Sequence, residues 1–262
     1  MIRSLYTAAT GMKANQLYVD NITNNLSNIN TVAFKKTKVE FEDLLYQTMV
    51  EPGSGNAEGA SFPAGIQVGV GVRVVASQKV FSQGNISETS NPLDLSILGD
   101  GFFQVAMPSG EIAYTRGGAF KISAEGSLVT SQGYLLEPPI VLPEGSQDIT
   151  IDESGRVYVS LDGSNISEEI GQIELARFIN PSGLKSMGNN VFTMTAASGS
   201  PDVDAPGEAS MGKIQSGFLE SSNVQLVEEM VNMIVAQRAY EVVSKAIQTS
   251  EEMLQLANQL RR

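Results

Sequence analysis

Glycine and proline are confined to the middle of this 262-residue chain, and their distribution constrains the fold more than any other feature. All ten prolines lie between Pro52 and Pro206. Of the 25 glycines, 24 lie between Gly53 and Gly217, and Gly11 is the exception. Because glycine and proline are the strongest local interruptions of regular structure, we expect helical ends on either side of a middle region that is rich in turns.

The first segment has the apolar spacing of a long helix. Eight positions follow one another at alternating steps of three and four, and seven of them are apolar: Leu5, Ala8, Met12, Asn15, Val19, Ile22, Leu26 and Ile29. This spacing predicts a helix about 37 Å long, at roughly 1.5 Å per residue, with one continuous apolar stripe.

The last segment predicts a longer helix, from about Asn223 to Leu260, with Ser222 or Asn223 as the N-cap. Two apolar stripes run along it, and their members are Ala236, Ala239, Val243, Ala246, Ser250, Met253, Ala257 and Leu260, and Tyr240, Val243, Ile247, Ser250, Leu254 and Ala257. Upstream, five further apolar residues make the helix apolar nearly all round, and they are Val227, Met230, Val231, Met233 and Ile234.

The two helices have alternative partners, because they could pack on each other as an antiparallel pair or on the middle region. However, the upstream half of the last helix has too wide an apolar face for one partner to cover. Asn21, Asn25 and Asn28 form a polar stripe on the first helix, and a primary amide can pair with a copy of itself. From Asn28 to Thr31, an alternative interpretation is a helix end with turn chemistry.

We therefore expect both helices to contact identical neighbours. The residues expected in this assembly interface are Leu5, Met12, Val19, Ile22, Asn25, Leu26, Asn28 and Ile29 of the first helix, and Val227, Met230, Val231, Ile234, Tyr240, Val243, Ile247 and Leu254 of the last.

The middle region has the pattern of β-structure. Valines at 68, 70, 72 and 74 alternate with other residues, which is the period of a strand. Turn signals separate further short candidate strands, and they are Asp100-Gly101, Glu125-Gly126, Ser154-Gly155 and Asp162-Gly163. Such spacing predicts an antiparallel sandwich or barrel. The predicted class is α+β, in which long terminal helices form a coiled-coil-like α domain and flank a central antiparallel all-β domain.

The composition excludes much side-chain chemistry, since the chain has no cysteine, no histidine and a formal net charge of −12. Disulfides, thiolate metal sites and cysteine nucleophiles are impossible, and the usual general base and zinc ligand is missing. An acidic chain also lacks the basic surface that nucleic acid requires. The sequence thus predicts no catalytic, cofactor or metal site and no nucleic-acid partner. Without a run of 18 apolar residues, no membrane-embedded segment is expected.

Two other classes of function are compatible with parts of this composition. A carboxylate hydrolase is open to such a chain, with Asp94, Asp100, Asp152 and Asp162 available, but nothing pairs two carboxylates and aromatic residues make up only 6%. A surface fibre or adhesin, with a β head on a helical stalk, would share the composition. Helical propensity at both ends, rather than at one, favours a self-assembling subunit.

Several segments resemble the signatures of bacterial flagellar rod and hook proteins. Residues 20–35 (DNITNNLSNINTVAFK) resemble the N-terminal signature, and residues 217–224 (GFLESSNV), 229–231 (EMV) and 237–241 (QRAYE) resemble the C-terminal one. Residues 97–105 (ILGDGFFQV) and 114–120 (YTRGGAF) are similar to middle-domain motifs of the longer members. Residues 41–48 (FEDLLYQT) and 69–73 (GVGVR) are similar to distal-rod members, and the resemblance covers nearly the whole chain.

The resemblance implies a structural subunit of the flagellar distal rod, which assembles with its copies into a rigid tubular drive shaft that transmits torque from motor to hook. The implied partners are other rod proteins and the hook protein at its ends, the bushing proteins of the outer rings, and the flagellar type III export apparatus. The implied location is the basal-body rod across the periplasm, reached without a cleaved signal peptide. Another axial member of the rod and hook family is the alternative.

The resemblance also implies five parts: an N-terminal helix of the inner α domain at 1–35, an extended linker and β segment at 36–90 that includes the Gly/Pro stretch 50–67, a central β domain at 91–200, a return segment at 201–222, and a C-terminal helix of the inner α domain at 223–262. A segment that keeps the rod straight is expected around Glu51, Pro52, Gly53, Gly55, Gly59, Pro63 and Gly65.

Two positions depart from the family pattern, and local turn geometry can differ at each. Ala33 stands where glycine is frequent, and Gly117 stands where an acidic residue or alanine is common.

Overall fold

The computed structural model describes residues 2–51, 64–143, 145–161, 167–208 and 210–260, with a long helix at each end and short strands between. The helices are α1 (Ile2–Ser27) and α2 (Leu226–Leu260), and a 3₁₀ turn spans Pro181–Gly183. The strands are β1 (Thr37–Asp43), β2 (Tyr46–Val50), β3 (Ile66–Gly69), β4 (Val72–Lys79), β5 (Ile86–Glu88), β6 (Leu95–Leu98), β7 (Phe102–Ala106), β8 (Ile112–Thr115), β9 (Phe120–Ile122), β10 (Leu128–Thr130), β11 (Leu135–Glu137), β12 (Ser146–Ile151), β13 (Arg156–Leu161), β14 (Ser167–Gln172), β15 (Leu175–Arg177), β16 (Lys185–Gly188), β17 (Val191–Thr193), β18 (Asp202–Asp204), β19 (Lys213–Ser216) and β20 (Phe218–Glu220).

The chain forms two compact units that alternate along the sequence. Unit 1 comprises Met1–Leu26, Thr37–Gln78 and Gln225–Arg262, and unit 2 comprises Ser27–Lys36 and Lys79–Val224. Unit 1 therefore contains both helices, and unit 2 contains the large antiparallel sheet, so the predicted α+β class is confirmed. The sequential five-part division stays a prediction.

Unit 2 is built on a nine-stranded sheet with the order β16-β17-β8-β7-β11-β10-β9, in which β15 also pairs with β7 and with β18. The strands β12, β13 and β14 form a separate sheet. Inward side chains of both sheets share one core that includes Phe103, Phe120, Leu136 and Val157. The rings of Phe103 and Phe120 meet edge to face, with centroids 5.2 Å apart. This core excludes water from large side chains, which is the main favourable term in folding.

A glycine in the middle-domain motif allows a close approach in unit 2. The backbone N–H of Leu95 donates to the carbonyl of Gly118, with N and O 2.9 Å apart. A Cβ at Gly118 would lie 1.7 Å from the carbonyl oxygen of Leu95, so no other residue fits. At the neighbouring Gly117, φ is not in the left-handed region, and a Cβ would lie 3.3 Å from the hydroxyl of Thr115. The chain can therefore accept alanine at 117 after a small adjustment, but not at 118.

Unit 1 combines the two helices with two strand pairs, β1 with β4 and β2 with β3. The valine pattern predicts one strand through residues 68–74, whereas the structure divides it at Gly71 into β3 and β4. Gly71 has φ +133°, and a Cβ here would lie 2.2 Å from the hydroxyl oxygen of Thr10 in α1. This close contact with a helix distant in sequence fixes the break, and a local alternation pattern contains no information about it.

The first helix ends at Ser27, before the boundary expected at residue 35. A turn follows, in which the N–H of Thr31 donates to the carbonyl of Asn28 and its hydroxyl to the Asn28 side-chain oxygen, each at 3.2 Å. The alternative interpretation of Asn28 to Thr31 as turn chemistry is therefore the one that the structure shows.

Within the segment expected to keep the rod straight, residues 52–63 lie outside the described residues. The strands that border the segment form an antiparallel hairpin, in which Val50 pairs with Ile66. The segment from Glu51 to Gly65 is thus the connection of a β-hairpin.

Candidate assembly surface

The first half of α2 carries exposed apolar side chains. Val227, Met230, Val231, Ile234 and Val235 are 75%, 50%, 54%, 57% and 60% exposed, and we call these five residues the α2 ridge. No charged residue occurs from position 230 to position 237. A contiguous exposed apolar patch of this kind marks an interaction site.

A different edge of α2 is buried. Glu229, Ala236 and Ser250 are buried and Val243 is half-buried, and these four residues are spaced by seven. A seven-residue spacing corresponds to a narrow seam along a helix. Packing within the chain therefore covers one edge of α2 and leaves the α2 ridge uncovered.

The helices α1 and α2 run antiparallel beside each other. A groove of about 1290 Å³ lies between the start of α1, the end of α2 and strand β3, and it is lined by Arg3, Ser4, Tyr6, Thr7, Ala8, Gly11, Val68, Gly69, Val242, Val243, Ala246 and Leu254. A second cavity is lined by Gln16, Val19, Gln237, Tyr240 and Glu241. The two helices thus run in opposite directions, but a groove and a cavity separate them along part of their length, and no α2 ridge residue lines either.

The surroundings of Tyr18 in α1 show which part of α2 lies near it. Burial is the main cause that raises its pKa, and the nearby carboxylates of Glu229 and Glu228 raise it further. Its ring also meets that of Phe41 edge to face, with centroids 5.8 Å apart. The start of α2 therefore lies beside the second half of α1.

The sequence-predicted assembly residues fall into three groups. Val227, Met230, Val231, Ile234 and Tyr240 are exposed; Leu5, Met12, Val19, Leu26, Asn28, Ile29, Val243, Ile247 and Leu254 are partly buried; Ile22 and Asn25 are buried. The groove contains Val243 and Leu254, and the second cavity contains Val19 and Tyr240. The prediction did not include Val235 and Val242, which are 60% and 69% exposed.

Ile22 and Asn25 differ from what the sequence suggested. Ile22 is 1% exposed, so its side chain is covered within this chain. The Asn25 amide donates to the carbonyl of Thr37 and accepts from the Thr37 N–H, each at 2.9 Å, in the way that a neighbouring strand would. An amide held in this way connects α1 to β1 and is not available for a copy of itself.

The three signature motifs of the family meet in unit 2 at a buried ion cluster, which we define as Lys35, Arg116 and Glu220. These side chains are 0%, 3% and 1% exposed. The ammonium group of Lys35 donates to one oxygen of Glu220 at 2.5 Å and to the carbonyl of Ser82 at 2.8 Å. Arg116 donates to the carbonyl of Gly99 and lies 3.6 Å from the second Glu220 oxygen.

Burial lowers the pKa of both cations in this cluster. Desolvation lowers the pKa of Lys35, and the charge of Glu220 partly opposes this effect. Desolvation also lowers the pKa of Arg116. Within the described part of the chain, Nε and Nη1 of Arg116 and Oε2 of Glu220 have no hydrogen-bond partner. The cluster is therefore sensitive to the loss of any member.

Asn223 also connects the two terminal signatures. Its side-chain oxygen accepts from the N–H of Lys36 at 2.7 Å, and its amide donates to the carbonyls of Val80 and Ser82. The sequence suggested Ser222 or Asn223 as the N-cap of the last helix, but α2 begins at Leu226 and the Asn223 side chain has these partners instead. Sequence reasoning missed this role, and the only signal was that Lys35, Glu220 and Asn223 lie in the two terminal motifs.

The described residues offer neither a metal site nor a membrane-spanning helix. The described residues contain no group of three or more aspartates or glutamates placed to hold a metal ion. Neither of the helices just described is long and apolar enough to cross a membrane.

Comparisons with known proteins agree with these motifs. Family models match in three places, namely "Flagella basal body rod protein" at residues 5–35, "Flagellar hook protein FlgE/F/G D1 domain" at residues 96–159, and "Flagellar basal body rod FlgEFG protein C-terminal" at residues 215–260. The first and third matches contain the two terminal signatures, and the second contains the middle-domain motifs.

Whole-chain relatives narrow the family further. The chain is 52% identical to the flagellar basal-body rod protein FlgG of Borreliella burgdorferi over 100% of both chains, and 47% identical to that of Caulobacter vibrioides over 99% of this chain and 100% of the relative. It is 38% identical to FlgG of Bacillus subtilis over 100% of both.

Fold and motifs thus define a protein of the bacterial flagellar rod and hook class. Within that class, the chain belongs to the FlgG family of flagellar basal-body rod proteins, which is a structural family located in the basal body and not a class of enzymes.

Proposed function

We propose that the protein is a non-enzymatic subunit of the flagellar distal rod, which assembles with copies of itself into a rigid tubular shaft that transmits torque. Membership of the FlgG family supports a role as a structural rod subunit. The observation that carries self-assembly is the α2 ridge, whose five apolar side chains are at least half exposed in the single chain. Burial of this surface between copies would be favourable at about 25 cal/mol per Å².

The proposal includes partners beyond further copies. They are other rod proteins and the hook protein at the ends of the shaft, the bushing proteins of the outer rings around it, and the type III export apparatus before assembly. A cysteine-free chain suits export in an unfolded form, since no disulfide can form on the way.

Substitution of a central ridge residue tests the assembly. In Val231→Asp, a charge enters the ridge, and we expect the tubes that the unchanged protein forms at high concentration to be lost in electron micrographs. Val203→Asp is the matched control, because Val203 is exposed at 40% in unit 2 and should leave assembly intact. Near-ultraviolet circular dichroism should show that both variants retain the packing of unit 2.

The possible outcomes separate the functions. Normal tubes from Val231→Asp would contradict the role of the α2 ridge. Discrete trimers from the unchanged protein would favour the fibre or adhesin, and monomers at every concentration would contradict self-assembly.

We also propose that the segment from Glu51 to Gly65 keeps the shaft straight. Because Val50 and Ile66 pair in a hairpin, the segment can be replaced by a two-residue Asn-Gly turn without loss of strand pairing. We expect tubes of this variant to be curved in electron micrographs. Straight tubes with unchanged strand content would exclude this role for the segment.

A further inference from the structure

Gly11 lies within α1, although none of the described residues requires a glycine there. Glycine is among the least favourable residues for a helix interior. A Cβ at this position would meet no atom of the described residues within 4 Å. Packing within the chain therefore permits a larger residue at position 11. Gly11 lines the groove between α1 and α2, where the space above it is open.

The groove has the properties of a surface that receives a polypeptide segment. Its volume of about 1290 Å³ exceeds the range of roughly 300–1,000 Å³ that is usual for small-molecule pockets. Small residues line it on both helices, including Ala8, Gly11 and Ala246, and they allow a partner backbone to come close. Arg3 is the single charged residue among the described residues that line it.

We propose that this groove receives the α2 ridge of a second copy of the chain, an inference that rests on the proposed self-assembly. The ridge supplies the exposed apolar side chains that an apolar groove can bury, and residues 230–237 include no charge. The charges at the two surfaces also have opposite signs, because Glu228 lies within the ridge segment and Arg3 lies at the groove. A second copy is thus complementary to the groove in polarity and in charge.

The α2 ridge and the groove lie at different positions along α2. On α2 the groove spans Val242 to Leu254, centred near residue 248, whereas the ridge spans Val227 to Val235, centred at residue 231. The difference of 17 residues corresponds to about 25 Å along the helix. Ridge and groove are therefore different surfaces, and in the proposed assembly each contact is head-to-tail. Such a contact leaves a free ridge at one end and a free groove at the other, and it propagates into an open helical polymer when the rotation between copies does not close a ring.

Cysteine pairs test this contact directly, because the natural chain has no thiol. The double variant Val231→Cys/Ala246→Cys has one thiol on the ridge and one in the groove. The two positions are 15 residues apart, or about 22 Å along one helix, which is too far for a disulfide within a chain. After assembly and mild oxidation, we expect a ladder of covalent oligomers on a non-reducing gel, with each single variant remaining monomeric.

A matched control variant is Val231→Cys/Gln248→Cys. Gln248 lies two residues after Ala246 and so faces nearly the opposite side of α2, at about 100° per residue. This variant should give no ladder. Mass spectrometry of the ladder should identify tryptic peptides 214–238 and 246–261 joined to each other.

Each alternative outcome has a distinct meaning. Efficient dimers from Val231→Cys alone would show a two-fold contact between ridges, and dimers without larger species from the double variant would show a reciprocal two-fold contact of ridge with groove. Either result would overturn the head-to-tail proposal. Normal tubes without a ladder would show that the ridge lies elsewhere, and would leave the proposed function standing. An absence of tubes from the unchanged protein would instead refute the proposed function.

Gly11 supplies a second, independent test. Gly11→Ala should increase the helicity of the free chain, and Gly11→Leu should raise the critical concentration for assembly at least tenfold because its side chain fills the groove. The control is Ala9→Leu, since Ala9 is exposed and faces away from the groove. Sedimentation of polymer from monomer measures the critical concentration. Equal critical concentrations for Gly11→Leu and Ala9→Leu would contradict the assignment of the groove.

Discussion

The two units of the molecule bury very different side chains. Unit 2 completely buries large residues such as Phe103, Leu136 and Leu175. Among the described residues of unit 1, the buried apolar side chains are Ala14, Ile22, Val39 and Ala236, and most of them are small. Because apolar burial is the main favourable term in folding, unit 2 has a core of its own, whereas unit 1 leaves much of its apolar surface exposed.

The largest effect should come from the core of unit 2. Phe103→Ala removes a fully buried ring and leaves a cavity, so we expect the free energy of unfolding to fall by about 3–5 kcal/mol. Val231→Ala in unit 1 should change it by less than about 0.5 kcal/mol, because the side chain is exposed in the free chain. Urea unfolding followed by near-ultraviolet circular dichroism measures both. Equal losses from the two variants would contradict the contrast between the units.

Loss of a carboxylate should lower the free energy of unfolding more at the buried ion cluster of unit 2 than at an exposed ion pair of unit 1. Glu220→Gln leaves Lys35 and Arg116 buried without their counter-charge, and we expect a loss of about 3 kcal/mol in the free energy of unfolding. The loss stays at the lower end of the usual range because Lys35 keeps its bond to the carbonyl of Ser82.

The control is the exposed pair of unit 1, in which Arg73 and Glu42 are 61% and 49% exposed and 2.7 Å apart. Glu42→Gln should cost less than about 1 kcal/mol, since water screens the pair. Urea unfolding curves of the two variants give the comparison. A loss from Glu220→Gln no larger than that from Glu42→Gln would show that the buried ion cluster does not stabilise unit 2.

Some of these features could be predicted from the sequence, and others could not. Glycine distribution and apolar periodicity predict both helices and the β-rich middle, because these patterns depend on local spacing. They do not predict the break at Gly71 or the partners of Asn25, since each depends on a contact with a distant segment. The exposed apolar face of α2 could be anticipated, because an apolar face too wide for one partner is itself a sequence feature, whereas its role in assembly stays a prediction. The buried ion cluster was not, because charged residues are usually exposed and nothing local indicates that Lys35 and Glu220 meet.

A smaller effect concerns the helices themselves. Because unit 1 has few buried apolar side chains, we expect the backbone amides of α1 and α2 to exchange with solvent much faster than those of β7 and β8 in the free chain. Assembly should slow their exchange and increase the helical signal in far-ultraviolet circular dichroism. Hydrogen exchange with mass spectrometry measures this region by region. Equal helicity and equal protection in monomer and polymer would show that unit 1 is stable without neighbours.

The smallest effect should come from Ala33→Gly in unit 2. Ala33 has φ 55°, in the left-handed region, and its N–H donates to the carbonyl of Glu220 at 2.8 Å. Glycine relieves about 1 kcal/mol of backbone strain, but it increases the entropy of the unfolded chain and removes a methyl group that is 1% exposed. These contributions are similar in size, so the free energy of unfolding should change by less than about 1 kcal/mol in either direction.

Ala14→Gly in α1 provides the comparison in unit 1, where Ala14 is buried and has ordinary helical geometry. It gains no relief of strain, so helix propensity and the lost methyl group both act against the variant. Its effect should appear as faster amide exchange of α1, whereas urea unfolding of unit 2 should stay unchanged. If Ala33→Gly instead destabilised unit 2 by more than about 2 kcal/mol, packing of the methyl group would outweigh the strain. Alanine at position 33 would then be a stabilising feature of this chain, and not merely a tolerated replacement of the glycine frequent in the family.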